Sequence, residues 1–344
     1  MGNRITQEDI AKKAKVSRVT VSKVLNGTGT VSADVVKKVL DAAEKMGYFT
    51  SKAPALSTSD EKIKNIVFLG RDAVSAASSP FWMPMITGVE RTLRIHNALL
   101  RVTFIPANQD SIEESVRSIV AQKTDGIIFA GDSYLEDYRF LDTLHIPYVA
   151  YDYVHVTGKD LLSIDAKCDI VALKDRIGTF TLTEKLIQDG HTRIAFVSGT
   201  NGSFSFHNRY LGYMDAMRQN GLKPERLFGI EEKIFNESST EDEVAKSIAS
   251  LEEKPTAYVC ANDCIAYQIA RQQRLYHTVF QDIQICGFDN FYDMPFDGTF
   301  VGTVDFDKNA LGILLADRIL SRIDKPELPY SVTIMDVEPK YCNR

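Results

Sequence analysis

Two groups of residues in this chain have types and spacings that could do chemistry. The first is "SRVTVSKVLN", Ser17 to Asn26. On a helix advancing about 100° per residue, Val21, Val24 and Leu25 share one side. Arg18, Val19, Ser22, Lys23 and Asn26 fall within about 140° of each other on the opposite side. Several of these outward residues are short, so the backbone can come close to another surface. Arginine can donate two hydrogen bonds to guanine, and lysine can reach a guanine edge or a phosphate. Asparagine suits adenine, and valine can touch a thymine methyl. Ser17 and Thr20, near the helix start, could bond phosphates together with free backbone N–H groups. That is the chemistry of a DNA major groove. The competing reading is a small helical bundle with a solvated face.

The second group stands at strand ends, where α/β sheets place ligands. Asp152 follows "PYVAY", Asn262 follows "AYVCA" and Asp289 follows "ICGF". Arg209 opens the helix after the loop "SGTNGSFSFHN". Guanidinium forks and carboxylates match vicinal hydroxyls, and buried polar groups left unpaired reject a wrong ligand. Asp263, beside Asn262, is expected to cap its helix. A nucleophile elbow, a phosphate loop, a dinucleotide fingerprint and an HExxH zinc motif are all missing. The six histidines do not cluster. The five cysteines (Cys168, Cys260, Cys264, Cys286, Cys342) are scattered. They read as small packed residues in a reducing compartment rather than as a disulfide framework or a zinc set. No catalytic residue, cofactor or metal is expected.

The elements that must position these groups come in two kinds. Residues 1–48 read as three short helices. Thr6 precedes "QEDIAKKAK" with Asp9 at capping-box spacing, Ser17 caps the second helix, and Ser32 caps a third from Ala33 to Met46, stopped by Gly47. The "AKV" turn between the first two suits a helix-turn-helix. Residues 49–62, "FTSKAPALSTSDEK", read as a linker. From Ile63 onward short apolar runs alternate with helical stretches. The runs are "NIVFLG" (65–70), "LLRVTFI" (99–105), "GIIFA" (126–130), "PYVAY" (147–151), "RIAFVS" (193–198), "AYVCA" (257–261) and "IQICGF" (283–288). The helices lie near 84–96, 110–122, 134–144, 176–190, 207–220, 240–253 and 263–274. Two such series imply two doubly wound α/β lobes with a ligand cleft between them. Charge divides the same way. Residues 1–56 carry ten Lys/Arg against five Asp/Glu, whereas the remainder carries thirty against forty-one. A basic head on an acidic body points to an anionic partner at the head alone. The N-terminus lacks the apolar core of a signal peptide, and no stretch approaches the roughly 18 apolar residues of a membrane helix. The expectation is a cytoplasmic protein with no membrane partner.

The pattern "ITQEDIAKKAKVSRVTVSKVLNG…VSADVVKKVLDAAEKMGY" resembles the DNA-binding head of the LacI/GalR regulators. The body carries "DGIIFAG", "DGHTRIAFVSG", "NRYLGYMDAM", "ANDCIAYQIA", "ICGFDN" and "GTVDFDKNALG" in the order of that family. The resemblance implies a homodimer whose heads (1–48) read a pseudo-palindromic double-stranded operator, a hinge (49–62), and a body (63–340) resembling periplasmic sugar-binding proteins. It divides the body into a first lobe of 63–160 plus 306–328 and a second of 161–305 plus 329–340. It assigns base reading to Arg18, Val19 and Lys23, with Ser17, Thr20, Ser22 and Asn26 on the DNA backbone. Thr6 is counted with these DNA contacts. Leu56 is the candidate minor-groove wedge, although Pro54 just before it departs from the family hinge. For the effector, a sugar or sugar derivative, the resemblance points to the same Asp152, Arg209, Asn262 and Asp289 and adds Phe81 and Trp82. Phe291 and Phe306 are weaker candidates. The segment 159–178 departs from the family, which has a strand, then "DN", then a glycine. Either Lys174 and Asp175 replace that pair, or "SIDAKC" is the strand and the excess is an insertion. The alternative function is a regulator of the same fold controlled by a partner protein or a phosphorylated metabolite.

Overall fold

The computed structural model describes residues 6–26, 32–45, 63–71, 81–105, 112–131, 134–152, 167–198, 204–226, 253–275, 283–290 and 299–342. The chain divides into two units, Met1–Lys62 and Ile63–Arg344.

The first unit holds α1 (Gln7–Ala14), α2 (Arg18–Asn26) and α3 (Ala33–Lys45). The Thr6–Asp9 capping box forms, with the Thr6 N–H donating to Asp9 Oδ2 at 2.8 Å and the Asp9 N–H to Thr6 Oγ1 at 3.3 Å. Those bonds from Thr6 hold the Asp9 carboxyl below its ordinary pKa. Lys15 ends α1 in the left-handed conformation with φ 55°, the backbone geometry that closes many helices. Ser17 caps α2, its Oγ accepting from the Thr20 N–H at 3.0 Å. Ile10, Ala11, Val21, Val39, Ala42 and Ala43 form the core, with Ala14, Val16, Val24 and Val35 packed against it. Val21 and Val24 of the inner face deduced for α2 therefore pack inward, and the Leu25 side chain lies outside the described residues.

The second unit contains two six-stranded sheets. Its strands are β1 (Lys64–Arg71), β2 (Ala98–Ile105), β3 (Gly126–Gly131), β4 (Tyr148–Tyr151), β5 (Asp169–Leu173), β6 (Ile194–Val197), β7 (Glu225–Arg226), β8 (Ala257–Cys260), β9 (Gln284–Cys286), β10 (Phe300–Asp305), β11 (Val332–Met335) and β12 (Glu338–Tyr341). The first sheet runs β11-β5-β4-β3-β1-β2, all parallel, and the second runs β12-β10-β9-β8-β6-β7, with β12 alone antiparallel. The helices are α4 (Trp82–Ile95), α5 (Glu113–Val120), α6 (Leu135–Thr143), α7 (Asp175–Gln188), α8 (Phe204–Gln219), α9 (Asp263–Leu275) and α10 (Lys308–Asp324). None of the described helices is long and apolar enough to cross a membrane.

Alternate residues of β1 face opposite layers, as a strand demands. Ile66 and Phe68 pack with Met85, Val89 and Leu93 of α4 and with Leu311, Leu315 and Ile319 of α10. Val67 and Leu69 pack with Val116 of α5 and with Tyr138 and Leu141 of α6. Both faces being covered explains why the strands read as unbroken apolar runs.

The lobe boundaries differ from the sequence reading in two places. Residues 169–173 and 332–335, placed above in the second lobe, pair with each other and with β4 in the first sheet. The chain thus passes between sheets after Leu173, after Asp305 and after Met335. Lys174 and Asp336, on two of these passages, form an ion pair. Among the described residues of the divergent segment the strand is "DIVAL", followed directly by Lys174 and Asp175, and residues 163–166 of "SIDAKC" lie outside the described residues. The helix expected near 240–253 and the stop at Gly47 lie outside the described residues.

Candidate functional site

On α2 the side chains of Ser17, Arg18, Val19 and Lys23 are exposed, and Thr20 and Ser22 are half-buried. Val19 is 64% exposed, although apolar. Exposure of a valine between an arginine and a threonine costs hydrophobic burial, and a thymine methyl would recover it. The Ser17 and Thr20 hydroxyls lie 2.8 Å apart at the helix start. Thr6 is exposed but its hydroxyl donates to Asp9 Oδ2 at 2.7 Å, so it serves the cap first. The Asn26 side chain and Leu56 lie outside the described residues.

In the body, Asp152, Arg209 and Asp289 come together as expected from their strand and helix ends. Arg209 on α8 is 3% exposed. Its Nε donates to Asp175 Oδ1 at 2.8 Å and its Nη1 to the Ala261 carbonyl at 2.7 Å. Its Nη2 lies 3.4 Å from Asp289 Oδ1. The guanidinium carbon stands 3.6 Å above the Phe288 ring, a stacking that suits a planar cation. Burial works against the arginine's charge, but Asp289 and Asp175 outweigh it and hold its pKa above the ordinary value.

Asp152 follows β4 and bridges the lobes. Its Oδ2 accepts from the backbone N–H of Ser205, at the start of α8, at 2.8 Å and from the same residue's hydroxyl. Asp152, Asp289 and Asn290 all have positive φ, at 70°, 98° and 47°. Such backbone strain costs on the order of 1–3 kcal/mol per residue and gathers at binding sites. Parallel β-strands end here, and the strained residues turn their side chains across the sheet edge.

Asp175, the first residue of α7, is the member that sequence reasoning missed. It is 1% exposed. Burial pushes its carboxyl up to about 7; Arg209 opposes the rise, while Asp152 and Asp289 add to it. Burial likewise raises Asp289, against the pull of Arg209 and Lys308. Asp175 Oδ2 and Asp289 Oδ1 are buried without a hydrogen-bond partner. The only sequence signal was the break in the family's "DN" pair.

The Asp175 shift predicts a pH effect on stability. Its folded pKa lies above the unfolded value, so the folded chain keeps a proton that the unfolded chain has lost. That contribution is complete below the ordinary carboxylate value of 3.8 and disappears as pH rises through about 7. In urea titrations between about pH 4 and pH 8, wild type should lose stability with rising pH more steeply than Asp175→Asn. Parallel slopes would show that this carboxyl ionises normally.

The helix cap expected of Asp263 falls to Asn262. Asn262 Oδ1 accepts from the Ile265 N–H at 2.9 Å and so caps α9. Asp263 is fully buried and accepts from the Thr303 hydroxyl at 2.8 Å. A Cβ on Gly287 would lie 1.9 Å from Asp263 Oδ1, so only glycine fits beside it. The caps are reassigned because Asn262, not Asp263, precedes the first helical residue.

The aromatic candidates separate. Trp82 is buried in the first lobe's core between Phe68 and Phe104, at 6.1 and 5.9 Å between ring centres. Phe81 is half-buried and meets Tyr151 at 6.0 Å and Phe306 at 6.2 Å. Phe306 in turn meets Phe288 at 6.5 Å. Phe291 lies outside the described residues. A second buried ion pair sits at the same edge of the first sheet. Arg71, ending β1, lies 2.8 Å from Asp137 and 4.8 Å over the Tyr134 ring. Among the described residues no group of three or more His, Cys, Asp or Glu could hold a metal ion.

Comparison with known proteins agrees with both units. Residues 6–51 match the bacterial regulatory proteins of the lacI family, and residues 68–338 match the periplasmic binding proteins and sugar binding domain of the LacI family. The ribose operon repressor of Haemophilus influenzae is 26% identical over 335 residues, covering 96% of each chain. The transcriptional repressor PurR of Pasteurella multocida is 28% identical over 338 residues, covering 97% of this chain and 96% of its own. Among solved structures, the transcriptional regulator CelR in complex with cellobiose has a TM-score of 0.65 at 18% identity, over 98% of both chains. A LacI family regulator of Enterococcus faecium with bound ribose has a TM-score of 0.61 at 21% identity, over 80% of this chain and 97% of its own. The sequence relatives are transcriptional repressors, not enzymes. With a helix-turn-helix head and a two-lobed body matching over most of its length, the chain belongs to the LacI family of bacterial regulatory proteins.

Proposed function

We propose that this chain is a repressor that binds a pseudo-palindromic operator as a homodimer and takes a hydroxyl-rich, carbohydrate-type effector in its interlobe cleft. The observation that carries the cleft reading is the buried Arg209 guanidinium held between Asp175 and Asp289, with Asp175 Oδ2 accepting no hydrogen bond. Ionised carboxylate oxygens only accept, so they call for donors from a ligand. The buried carboxylates of Asp152, Asp175 and Asp289 disfavour a phosphorylated metabolite. Asp152 reaches across the cleft to Ser205, so a ligand competing for that carboxylate acts on the closure of the lobes. Closure alters the spacing of paired heads and hence operator affinity. The coupling is reciprocal: operator changes effector affinity by the same factor. Relatives named for ribose repression and a neighbour holding ribose support the carbohydrate class.

The head is tested by selecting operators from a randomised pool and measuring binding anisotropy. Arg18→Ala and Lys23→Ala should each relax preference at defined base positions by about 1–3 kcal/mol. Ser17→Ala should weaken all sequences alike, because phosphate contacts carry no base information. Unchanged base preference in both cationic variants would reject the recognition face.

A further inference from the structure

The chain passes between the two sheets at three places, and Lys308 stands just beyond one of them. It is the first residue of α10, which packs on β3, β4 and β5 of the first lobe. The position suits a lysine badly. A helix start carries the positive end of the helix dipole, where acidic side chains are favoured. The residue is 9% exposed. Burial draws its pKa below the ordinary value, against the pull of Asp289, Asp305 and Asp263. An ammonium so placed is costly unless specific partners compensate it.

Those partners belong to the second lobe. The ammonium donates to the Asp289 main-chain carbonyl and lies 3.8 Å from Asp305, the last residue of β10. The Asp289 N–H donates to the Val304 carbonyl at 2.8 Å, within the second sheet. The backbone of Asp289 is thus bonded to both lobes, and its φ of 98° is a conformation that its surroundings must hold. The Phe306 ring lies 4.5 Å from the ammonium, a favourable neighbour for a cation. The other two passages carry the Lys174–Asp336 pair, whose side chains are 42% and 83% exposed. Pairs so exposed contribute little, which leaves the buried lysine as the stronger link.

We propose that Lys308 is a hinge clamp, a positioning residue that reaches back across the Asp305 passage, fixes the turn at Asp289 and sets the resting angle between the lobes. The clamp goes beyond the effector reading and holds whatever ligand the cleft takes. With the clamp in place, Asp152 of the first lobe meets Ser205 of the second. Without it, that contact opens more often. The Ser205 amide is a direct reporter of this. Ser205 is the second residue of α8, so its N–H has no acceptor within the helix. Its acceptor is Asp152 Oδ2, across the cleft. Exchange of this amide with solvent therefore follows opening of the lobes.

The test is residue-resolved hydrogen exchange on the full chain without ligand. Lys308→Met keeps most of the stem and loses the charge. In it the Ser205 amide should exchange about tenfold or more faster, while the core amides of β3 and β8 stay within about twofold of wild type. Lys308→Arg keeps a charged donor and should return Ser205 to within about threefold of wild type. A lysine with a merely structural part would leave Ser205 unmoved or speed it in step with the core amides. Either result overturns the clamp, and so does equally fast Ser205 exchange in Lys308→Met and Lys308→Arg. If Lys308→Met does not fold, Lys308→Gln, which loses the charge and keeps a neutral donor, is held to the same criteria.

Discussion

Arg209→Met should destabilise the body by about 3–5 kcal/mol, the cost of removing the guanidinium that pairs two buried carboxylates, Asp175 and Asp289. Arg209 is 3% exposed and meets Asp175, Asp289, the Ala261 carbonyl and the Phe288 ring. Methionine fills much of the volume and keeps the contact with Phe288, but it donates no hydrogen bond. The carboxylates can escape only by taking up protons. The loss should therefore be smaller at about pH 5 than at about pH 8, since protonation is easier there. Denaturant melts of the two proteins at both pH values measure this directly. A loss below about 1 kcal/mol that does not change with pH would mean the cluster is weakly coupled and solvated. Arg209→Lys should rescue little, because one ammonium cannot reproduce the separate bonds to Asp175 and Ala261 or the stacking on Phe288.

Gly312→Ala and Gly88→Ala should each lower stability by about 1–3 kcal/mol through overpacking. The sign is the informative part. Alanine in place of a helical glycine otherwise stabilises by roughly 0.5–1 kcal/mol. Here α4 and α10 cross at those two glycines. A Cβ on Gly312 would lie 2.0 Å from the Met85 carbonyl oxygen, and one on Gly88 would lie 2.2 Å from that of Asn309. Both obstacles are backbone, so no rotamer change relieves them, and the helices must move apart. The helices carry Met85, Val89, Leu311 and Leu315 of the first lobe's core, so separation opens that layer. The Gly88→Ala/Gly312→Ala double variant should cost less than the two losses added, since one displacement accommodates both methyls. Thermal unfolding of the three variants gives the answer, and a rise in midpoint for either single variant would show that the crossing is loose.

Much of the head and half of the cleft were legible in the sequence because their determinants are local. The Thr6–Asp9 box spans three residues and the Ser17 cap another three. The buried stripe Val21 and Val24 follows from helical period alone. The apolar runs of β1 to β4 and of β9 can be read one by one, and the ends of β4 and β9 placed Asp152 and Asp289 at the sheet edges. Short-range hydrogen bonds and period are properties of neighbouring residues, and neighbours are what a sequence displays. The tertiary structure alone decided the rest. Asp175 meets Arg209 across 34 positions, and Asp169 meets Ser331 across 162. The sheet order that takes β5 and β11 into the first lobe has no local signature either. Strand order and the charge balance of a buried ring depend on which distant surfaces pack together. Sequence thus determined the helices of the head, most of the sheet strands and three members of the ring. Packing supplied Asp175, the fourth member, placed Trp82 in the core, and gave the cap to Asn262, because burial and pairing are settled between elements rather than within them.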